Sequence, residues 1–389
     1  MKNQKIFNKS FLFLLISNFA VFIGFEMLLP ILPAYLISLH ATTIQVGLVT
    51  TLFTVGAVLI RPLVGFYFID NQRKALAIGA GVVLMMITFV YPFLNILWLF
   101  LLLRFFHGIA WGVSTTANGT IAVDLIPKTR LGEGMGYFSI STTVGAIIAP
   151  SLGIFIYDSF SFDILIWSSV VLSLTAVIAL QFLHSPALVK REKPPFQFLK
   201  MIFEKDAWFP ALLSVITTFA YGAIVTFLVL FGKQKGLEHV FLFFLINAVV
   251  STILRPFTGR WYDKKGPWFI IIVAAMSGFL SLIILSYATN DLHLIIGAIL
   301  FGAGYGTVSP CLQTWAVQKV SEEKSGAANA TFYSSFDVGI GISAFLLGIL
   351  AEWVSLEMIF RIVSLSFIVV AVLVYKDYLK EKERDIKIK

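Results

Sequence analysis

The sequence contains two tandem copies of one pattern, and each copy takes up about half of the chain. The run LIRPLVG at positions 59–65 returns 194 positions later as ILRPFTG at 253–259, and GIAWG at 108–112 returns at the same offset as GAGYG at 302–306. Because 194 is half of the 389 residues, we expect two structural units of similar fold. Both copies lie in strongly apolar surroundings, and paired similar units in a membrane are typical of proteins that carry solutes across it.

The composition places the chain in a membrane. Hydrophobic residues make up 58% and charged residues 13% of the chain, against roughly 45–50% and 25% in soluble proteins. Twelve apolar runs are each long enough to cross a hydrocarbon core of about 30 Å as a helix. The predicted fold class is an all-α membrane protein with twelve transmembrane helices in two six-helix pseudo-symmetric halves. The runs are Phe11–Leu39, Val46–Ile69, Ala75–Phe93, Ile96–Leu125, Leu131–Tyr157, Phe162–Leu183, Phe209–Phe231, Val240–Trp261, Trp268–Tyr287, Leu292–Val320, Ser325–Ala351 and Met358–Tyr375.

The charge difference between loops predicts the orientation of the chain. Loops on one side hold 23 Lys and Arg residues, whereas the opposite loops hold only Lys233 and Lys235. The positive-inside rule then places both termini in the cytoplasm of a multi-pass cell-membrane protein. The first run is expected to be a retained helix rather than a cleaved signal, because it is long and contains prolines. We predict an N-terminal half at residues 1–183, a cytoplasmic linker at 184–206 and a C-terminal half at 207–389.

Several function classes are disfavoured by what the sequence lacks. The net charge of +8 is scattered over loops, so no nucleic-acid surface is expected. No glycine-rich loop ends in Gly-Lys-Ser or Gly-Lys-Thr, which argues against ATP-driven pumping. The five histidines and the single Cys311 show no metal-ligand spacing. Because no catalytic constellation is found either, we expect neither an enzyme nor a bound cofactor or metal.

A pattern of glycines and charges follows the second predicted helix of the C-terminal half. Gly259 is followed by Asp263, Lys264 and Gly266, at the spacing glycine, three residues, aspartate, base, one residue, glycine. In this pattern the chain resembles the major facilitator superfamily, and the resemblance extends along its whole length. It implies a cytoplasmic gate in which glycine permits a tight turn and close helix approach; ordinary positive-inside loop residues are the alternative. The predicted gate residues are Asp70, Arg73, Lys74, Gly259, Asp263, Lys264 and Gly266.

The fifth predicted helix carries small residues at regular spacing. Gly136, Gly145, Ala149, Pro150 and Gly153 follow the order glycine, eight residues, glycine, three, small residue, proline, two, glycine. This resembles the antiporter motif of the superfamily's proton-coupled drug exporters and favours export over import. Small residues at this spacing also let helices pack closely, and proline supplies a bend. Generic helix packing is therefore the alternative interpretation.

Three charges lie inside apolar runs. Glu26 is near the middle of the first run, Arg104 is inside the fourth and Asp337 is near the middle of the eleventh. Each would cost about 2.5–3.5 kcal/mol facing lipid, so they are expected to face a polar cavity or each other. Arg104 with Leu101, Gly108 and Gly112 resembles the buried-arginine motif of the same exporters. The resemblance implies that helices one, four and eleven approach the central cavity, with these three residues as a proton-coupling group; hydrogen-bonded structural roles are the alternative.

Further polar and aromatic residues of the apolar runs are candidates for the lining of a substrate cavity. His107 lies one helical turn from Arg104, on a similar face, at a position where the family often has glutamine. A packed, hydrogen-bonded core histidine is the alternative. The candidates are His107, Asn118, Tyr221, Asn247, Gln313 and Trp315.

The predicted function is secondary active transport, with protons and a small molecule as partners in the lipid bilayer. A proton-coupled exporter of amphipathic molecules or drugs, working by alternating access, is the first hypothesis. A dedicated exporter of one endogenous metabolite, such as a metallophore or sugar, and a proton-coupled importer are alternatives. A receptor or membrane enzyme would need a soluble domain or catalytic residues that the sequence does not show. The family resemblance suggests a monomer, and the sequence does not name the substrate.

Overall fold

The protein is entirely helical wherever its structure is described. The computed structural model describes residues 7–64, 73–127, 130–184, 204–321 and 325–388, and these form thirteen α-helices with two short 3-10 turns at Tyr91–Phe93 and Lys205–Ala207. The helices are α1 (Lys9–Glu26), α2 (Ile31–Ser38), α3 (Thr43–Leu63), α4 (Arg73–Val90), α5 (Leu97–Leu125), α6 (Leu131–Ser159), α7 (Phe162–Gln181), α8 (Trp208–Lys235), α9 (Phe241–Lys265), α10 (Pro267–Ser286), α11 (Asp291–Gln318), α12 (Ser325–Leu350) and α13 (Leu356–Ile388).

The predicted all-helical membrane fold is confirmed. Eleven segments of the described residues are long and apolar enough to cross a membrane, and the first of them, Lys9–Ser38, contains both α1 and α2. The remaining predicted run is covered by α6, which has 29 residues and therefore spans roughly 44 Å at 1.5 Å per residue. A helix thus occupies each of the twelve apolar runs.

The first span is broken in its middle, which a single predicted helix does not anticipate. Residues 27–30 form a turn between α1 and α2. Pro30 has no N–H to donate to the Glu26 carbonyl, which instead accepts from the Leu29 N–H at 3.2 Å. The Leu28 N–H likewise bonds to the Phe25 carbonyl at 3.0 Å, three residues back instead of four. The break therefore lies directly after Glu26, the last residue of α1.

Two compact units are formed, and their internal packing follows the repeat. The first comprises Met1–Ala41 and Leu52–Phe198, and the second comprises Thr42–Thr51 and Leu199–Lys389. In the first, α1 packs against α6 and α7, and α4 packs against α5 and α7. In the second, α8 packs against α12 and α13, and α10 packs against α11 and α13. The second set of pairs is the first set with each helix replaced by its equivalent six spans later.

The repeated glycines explain why the helix pairs are repeated. A Cβ on Gly108 of α5 would collide with the backbone carbonyl of Phe53 on α3. A Cβ on Gly302 of α11 would lie 2.8 Å from the backbone carbonyl of Asn247 on α9. Both pairs are related by the offset of 194 residues. Small residues allow this close approach, which contributes van der Waals packing where the hydrophobic effect is absent.

A short part of α3 belongs to the second unit. Its Thr51 hydroxyl donates to the Gly341 carbonyl of α12 at 3.0 Å, and its Thr43 hydroxyl donates to Glu352 at 2.9 Å. Thr50 lies 3.4 Å from the donating hydroxyl of Thr226 on α8. The predicted linker at residues 184–206 lies largely outside the described residues, so its role remains a prediction.

Candidate functional site

Arg104 on α5 is completely buried within the first unit. Its guanidinium carbon lies 4.7 Å from the centre of the Phe53 ring and 5.9 Å from that of Phe25. The Phe25 and Phe53 rings stack with their centres 4.5 Å apart, and the centre of the Trp111 ring lies 4.1 Å from that of Phe25. Aromatic faces attract a guanidinium, which is also more weakly hydrated than an ammonium group. This explains how a membrane-spanning helix accommodates the charge.

Two further polar side chains surround the guanidinium. His107 Nδ1 lies 2.8 Å from the hydroxyl of Tyr91 and 3.5 Å from Arg104 Nη1. Tyr91 and Arg104 are also hydrogen-bonded to each other. All three side chains are at most 1% exposed. The structure therefore brings together Arg104 and His107, two of the predicted site residues, and adds Tyr91 to them.

Glu26 and Asp337 lie in different units. Glu26 is half-buried at the end of α1, next in sequence to Phe25, whose ring contacts both His107 and Trp111. Glu26 is thus adjacent in sequence to a residue of the aromatic cluster that surrounds Arg104. Asp337 is half-buried on α12 of the second unit. A single coupling group made of all three remains a prediction.

The small residues of α6 divide into two groups. A Cβ on Gly145 would lie 2.9 Å from Phe22 Cβ, and a Cβ on Gly153 would collide with the Met27 carbonyl. Ala149 and Pro150 are buried, whereas no atom of the described residues lies within 4 Å of a Cβ on Gly136. The motif is therefore a contact face for α1, and its Gly153 end touches the broken turn after Glu26.

The first copy of the predicted gate is held within the first unit. Asp70 lies outside the described residues. Arg73, at the start of α4, forms an ion pair with Asp124 of α5. Lys74 donates from Nζ to the carbonyls of Gln181 and Leu183 at 2.8 and 2.7 Å. Because the last carbonyls of a helix lack intrahelical donors, Lys74 caps the end of α7.

The second copy of the gate lies mostly within a helix. Gly259, Asp263 and Lys264 belong to α9, which continues past the predicted end of this run at Trp261 to Lys265. No atom of the described residues lies within 4 Å of a Cβ placed on Gly259. Nothing interrupts the helix until Gly266, whose φ of +72° is accessible mainly to glycine. Pro267 then begins α10, a position where its missing N–H costs no hydrogen bond.

The candidate cavity residues of the second unit have different surroundings. Tyr221 stacks on Tyr305 with ring centres 4.8 Å apart and planes 2° apart. Gln313 donates to Asn329 at 3.0 Å and to the Tyr333 hydroxyl at 3.2 Å. Trp315 is buried and packs edge-on against Phe209 and Trp268. Asn247 is half-buried on α9.

Asn118, the remaining candidate, lies in the first unit. It is completely buried on α5, and within the described residues neither its amide nitrogen nor its carbonyl oxygen has a hydrogen-bond partner. No three His, Cys, Asp or Glu side chains approach each other as a metal site in the described part of the chain.

The aromatic residues of the site were not predicted from the sequence. Phe25 and Phe53 contact Arg104, Trp111 contacts Phe25, and Tyr305 contacts Tyr221. A signal was available for two of them, since Trp111 and Tyr305 occupy equivalent positions in the repeat. For the two phenylalanines there was none, because the chain has 38 Phe residues in similar apolar runs.

Repeated helical units with buried charges define a multi-pass membrane protein of the transporter class. The model of the Major Facilitator Superfamily matches residues 14–343 and 279–389, and the chain belongs to this family. Its members carry small molecules across membranes, so the protein is a transporter and not an enzyme.

The relatives and structural neighbours match this chain over most of its length. The uncharacterized MFS-type transporter MJ1560 of Methanocaldococcus jannaschii is 25% identical over 371 residues, 92% of this chain and 96% of that protein. The multidrug resistance protein MdtG of Klebsiella pneumoniae is 26% identical over 341 residues, covering 81% and 80%. The nucleoside transporter NupG superposes with a TM-score of 0.76 at 15% identity, covering 96% of this chain and 99% of that one. The human organic anion transporter MFSD10 superposes with a TM-score of 0.69 at 16% identity, and the superposition covers 94% of this chain and 99% of that one.

Proposed function

We propose that the protein is a proton-coupled exporter of small amphipathic molecules in the cell membrane, with both termini in the cytoplasm. The observation that carries the proposal is the completely buried Arg104 within the aromatic cluster that adjoins the broken turn at Glu26. Intramembrane charges are expensive and mark ion or substrate pathways. The likeness to MdtG, whose name is that of a multidrug resistance protein, supports export of drug-like molecules.

Coupling requires only that proton and substrate compete for one state of the transporter. Glu26 binds a proton when the cavity faces outward and releases it when the cavity faces inward. Arg104 cannot lose its proton readily, so it acts through its fixed charge on the carboxyl group. Asp337 contributes a second carboxyl group from the C-terminal half. Rocking of residues 1–183 against 207–389, as a monomer, alternates access to the site.

The turn after Glu26 supports this role on physical grounds. Non-helical backbone at membrane depth is tolerated only where protein or a water-filled cavity satisfies it. The end of a half-helix is also where transporters commonly place substrate and ion sites. A dedicated exporter of one metabolite uses the same site with a narrower substrate range, and an importer uses it in the opposite direction. The likeness to NupG is one of fold and does not favour nucleosides.

Replacement of Glu26 by Gln is expected to abolish proton release driven by substrate, because an amide cannot carry the proton. The measurement is quenching of a pH-sensitive dye in everted vesicles, with a panel of unrelated hydrophobic cations added in turn. Asp291→Asn is the control, since Asp291 pairs with His239 at 2.6 Å at the start of α11. It should release protons as the wild type does.

Each outcome of this experiment decides between the candidates. Wild-type proton release by Glu26→Gln would exclude Glu26 as the coupling residue. If only one compound is active, the dedicated exporter replaces the drug exporter. If no compound moves protons in wild-type vesicles that contain the folded protein, the broad drug exporter is contradicted, and a dedicated exporter or a mechanism without protons replaces it. Substrate accumulation inside whole cells, driven by an inward proton gradient, would establish an importer.

A further inference from the structure

The hydrogen bonds around His107 fix which of its nitrogens carries the proton. Arginine has N–H donors and no acceptor, and Arg104 Nη1 lies 3.5 Å from His107 Nδ1. A protonated Nδ1 would place two donors against each other between side chains that are fully buried. Nδ1 is therefore the bare nitrogen, and it accepts the hydrogen bond from the Tyr91 hydroxyl at 2.8 Å.

The Tyr91 hydroxyl then links Arg104 to His107, with each group donating its hydrogen bond toward the imidazole. Its oxygen accepts from Arg104, and its single hydrogen is donated to His107 Nδ1. The imidazole is neutral with its hydrogen on Nε2, the only polar group of the ring that this chain of bonds does not use. A buried N–H of this kind requires an acceptor.

A small cavity lies beside the imidazole in the first unit. It is lined by His107, Gly24, Thr88, Ser169 and Ser173 together with apolar neighbours, and it holds about 10 Å³ of space for a water-sized sphere. One water needs roughly 10–15 Å³ measured in this way, and two to four polar partners. The Ser169 hydroxyl donates to the Gly24 carbonyl at 2.5 Å, so its oxygen still has acceptor capacity.

The Gly24 carbonyl lies in the last turn of α1, immediately before the break. In a continuous helix it would accept from the Leu28 N–H, which instead bonds to Phe25. Ser169 of α7 supplies the missing donor. The cavity therefore joins the imidazole to the two residues that stabilise the backbone immediately before Glu26.

We propose that His107, as the neutral Nε2–H tautomer, positions Arg104 through Tyr91 and is linked by one buried water to Ser169 and the Gly24 carbonyl at the break. Arg104 and the turn after Glu26 are thereby held by one continuous hydrogen-bonded chain. The tautomer and the water are independent of what the protein transports. The positioning role rests on the proposed function, in which Arg104 acts on Glu26.

The tautomer is tested directly by nitrogen NMR of the full-length protein in lipid nanodiscs with ¹⁵N-labelled histidine at pH 7.5. The signal that disappears in His107→Gln identifies His107. We expect a bare Nδ1 and a protonated Nε2, a shift of the Nδ1 signal in Tyr91→Phe, and magnetisation transfer from water to the Nε2 hydrogen. A protonated Nδ1 would overturn the assignment, and absence of transfer from water would overturn the water site.

The positioning role is tested by transport with matched variants. Tyr91→Phe and His107→Leu each remove one partner of the same hydrogen bond and are expected to slow proton-coupled transport about fivefold. The double variant should be no slower than the slower single variant. His107→Gln provides a side-chain oxygen acceptor and should recover at least half of the wild-type rate.

Failure of this proposal is distinguishable from failure of the proposed function. If the wild type transports and His107→Leu equals it, His107 does not position Arg104. Equal losses in His107→Gln and His107→Leu would indicate packing alone and would also contradict the role. If the wild type itself moves no protons with any compound, the proposed function fails while the NMR result still decides the tautomer and the water.

Discussion

Gly153 has the most restricted surroundings of the small residues on α6. A side chain there would meet the Met27 backbone, which cannot move away as a flexible side chain does. Gly136 belongs to the same sequence pattern but faces open space. The pattern alone does not distinguish them, because both are glycines at the expected spacing. The partner surface decides, and that surface is an irregular turn rather than a helix.

Gly153→Ala is therefore expected to destabilise the protein by about 1–3 kcal/mol, the usual cost of overpacking. Gly136→Ala adds only a methyl group to an exposed helix position and is expected to leave stability unchanged or slightly higher. The measurement is the Tm of each variant in detergent, determined by thermal unfolding. Equal Tm values for the two variants would contradict the close contact between α6 and the turn.

Residue identity predicted only part of the site. Arg104 and His107 were found because a charge and an imidazole are rare in apolar helices and lie one turn apart. Their contacts with Tyr91 and Phe53 join positions far apart in sequence, so helix periodicity gives no sign of them. The run that contains Gly259 was predicted to end at Trp261, but the helix continues to Lys265, because local spacing does not show where a helix ends.

At the scale of elements, the broken first span is the main departure from expectation. Pro30 and Pro33 are visible in the sequence, but a proline in a membrane helix can produce either a bend or a break. The break here is stabilised from outside the span, by the Ser169 hydroxyl of α7 on the Gly24 carbonyl. The residues of the first span carry no sign of that contribution, because Ser169 lies 145 positions further along the chain than Gly24.

Ser169→Ala is expected to lower both stability and transport, because the freed Gly24 carbonyl loses its buried donor at about 1–3 kcal/mol. Ser281→Ala is a matched control: the Ser281 hydroxyl is also buried and donates to the Gly297 carbonyl of a neighbouring helix at 2.7 Å. Ser281→Ala should lose less stability, because the Gly297 carbonyl lies inside α11 and keeps its helical donor. Only Ser169→Ala should lower the transport rate per folded molecule. Equal transport rates for Ser169→Ala and Ser281→Ala would show that the break in the first span has no role in transport.

At the scale of the whole molecule, the repeat predicted much of the architecture. An offset of 194 residues relates the helix pairs and the glycine contacts of the two units. The repeat did not predict that Thr42–Thr51 belongs to the second unit. Such an exchange depends on contacts made after each bundle has formed, and the repeated pattern, being the same in both halves, carries no information about it.

Cross-linking tests whether this segment must separate during transport. Thr43→Cys with Glu352→Cys places two thiols where a hydrogen bond of 2.9 Å now exists, and Cys311 is buried. If residues 1–183 rock against 207–389, a short bifunctional thiol reagent should stop transport, and cleaving the reagent should restore it. The control is Lys235→Cys with Glu357→Cys, an ion pair within the C-terminal half, which should transport normally when cross-linked. Undiminished transport by the fully cross-linked first pair would contradict the rocking motion.

The placement of Thr42–Thr51 also has a consequence for biosynthesis. Thr51 bonds to Gly341, which is 290 residues further along the chain. At synthesis rates of about 5–20 residues per second, the segment waits roughly 15–60 s for its partner. During that interval the Thr51 hydroxyl has only its intrahelical acceptor, the Gly47 carbonyl at 3.0 Å. The ribosome-bound chain is thus a stage at which insertion factors or neighbouring lipids have access to this face of α3.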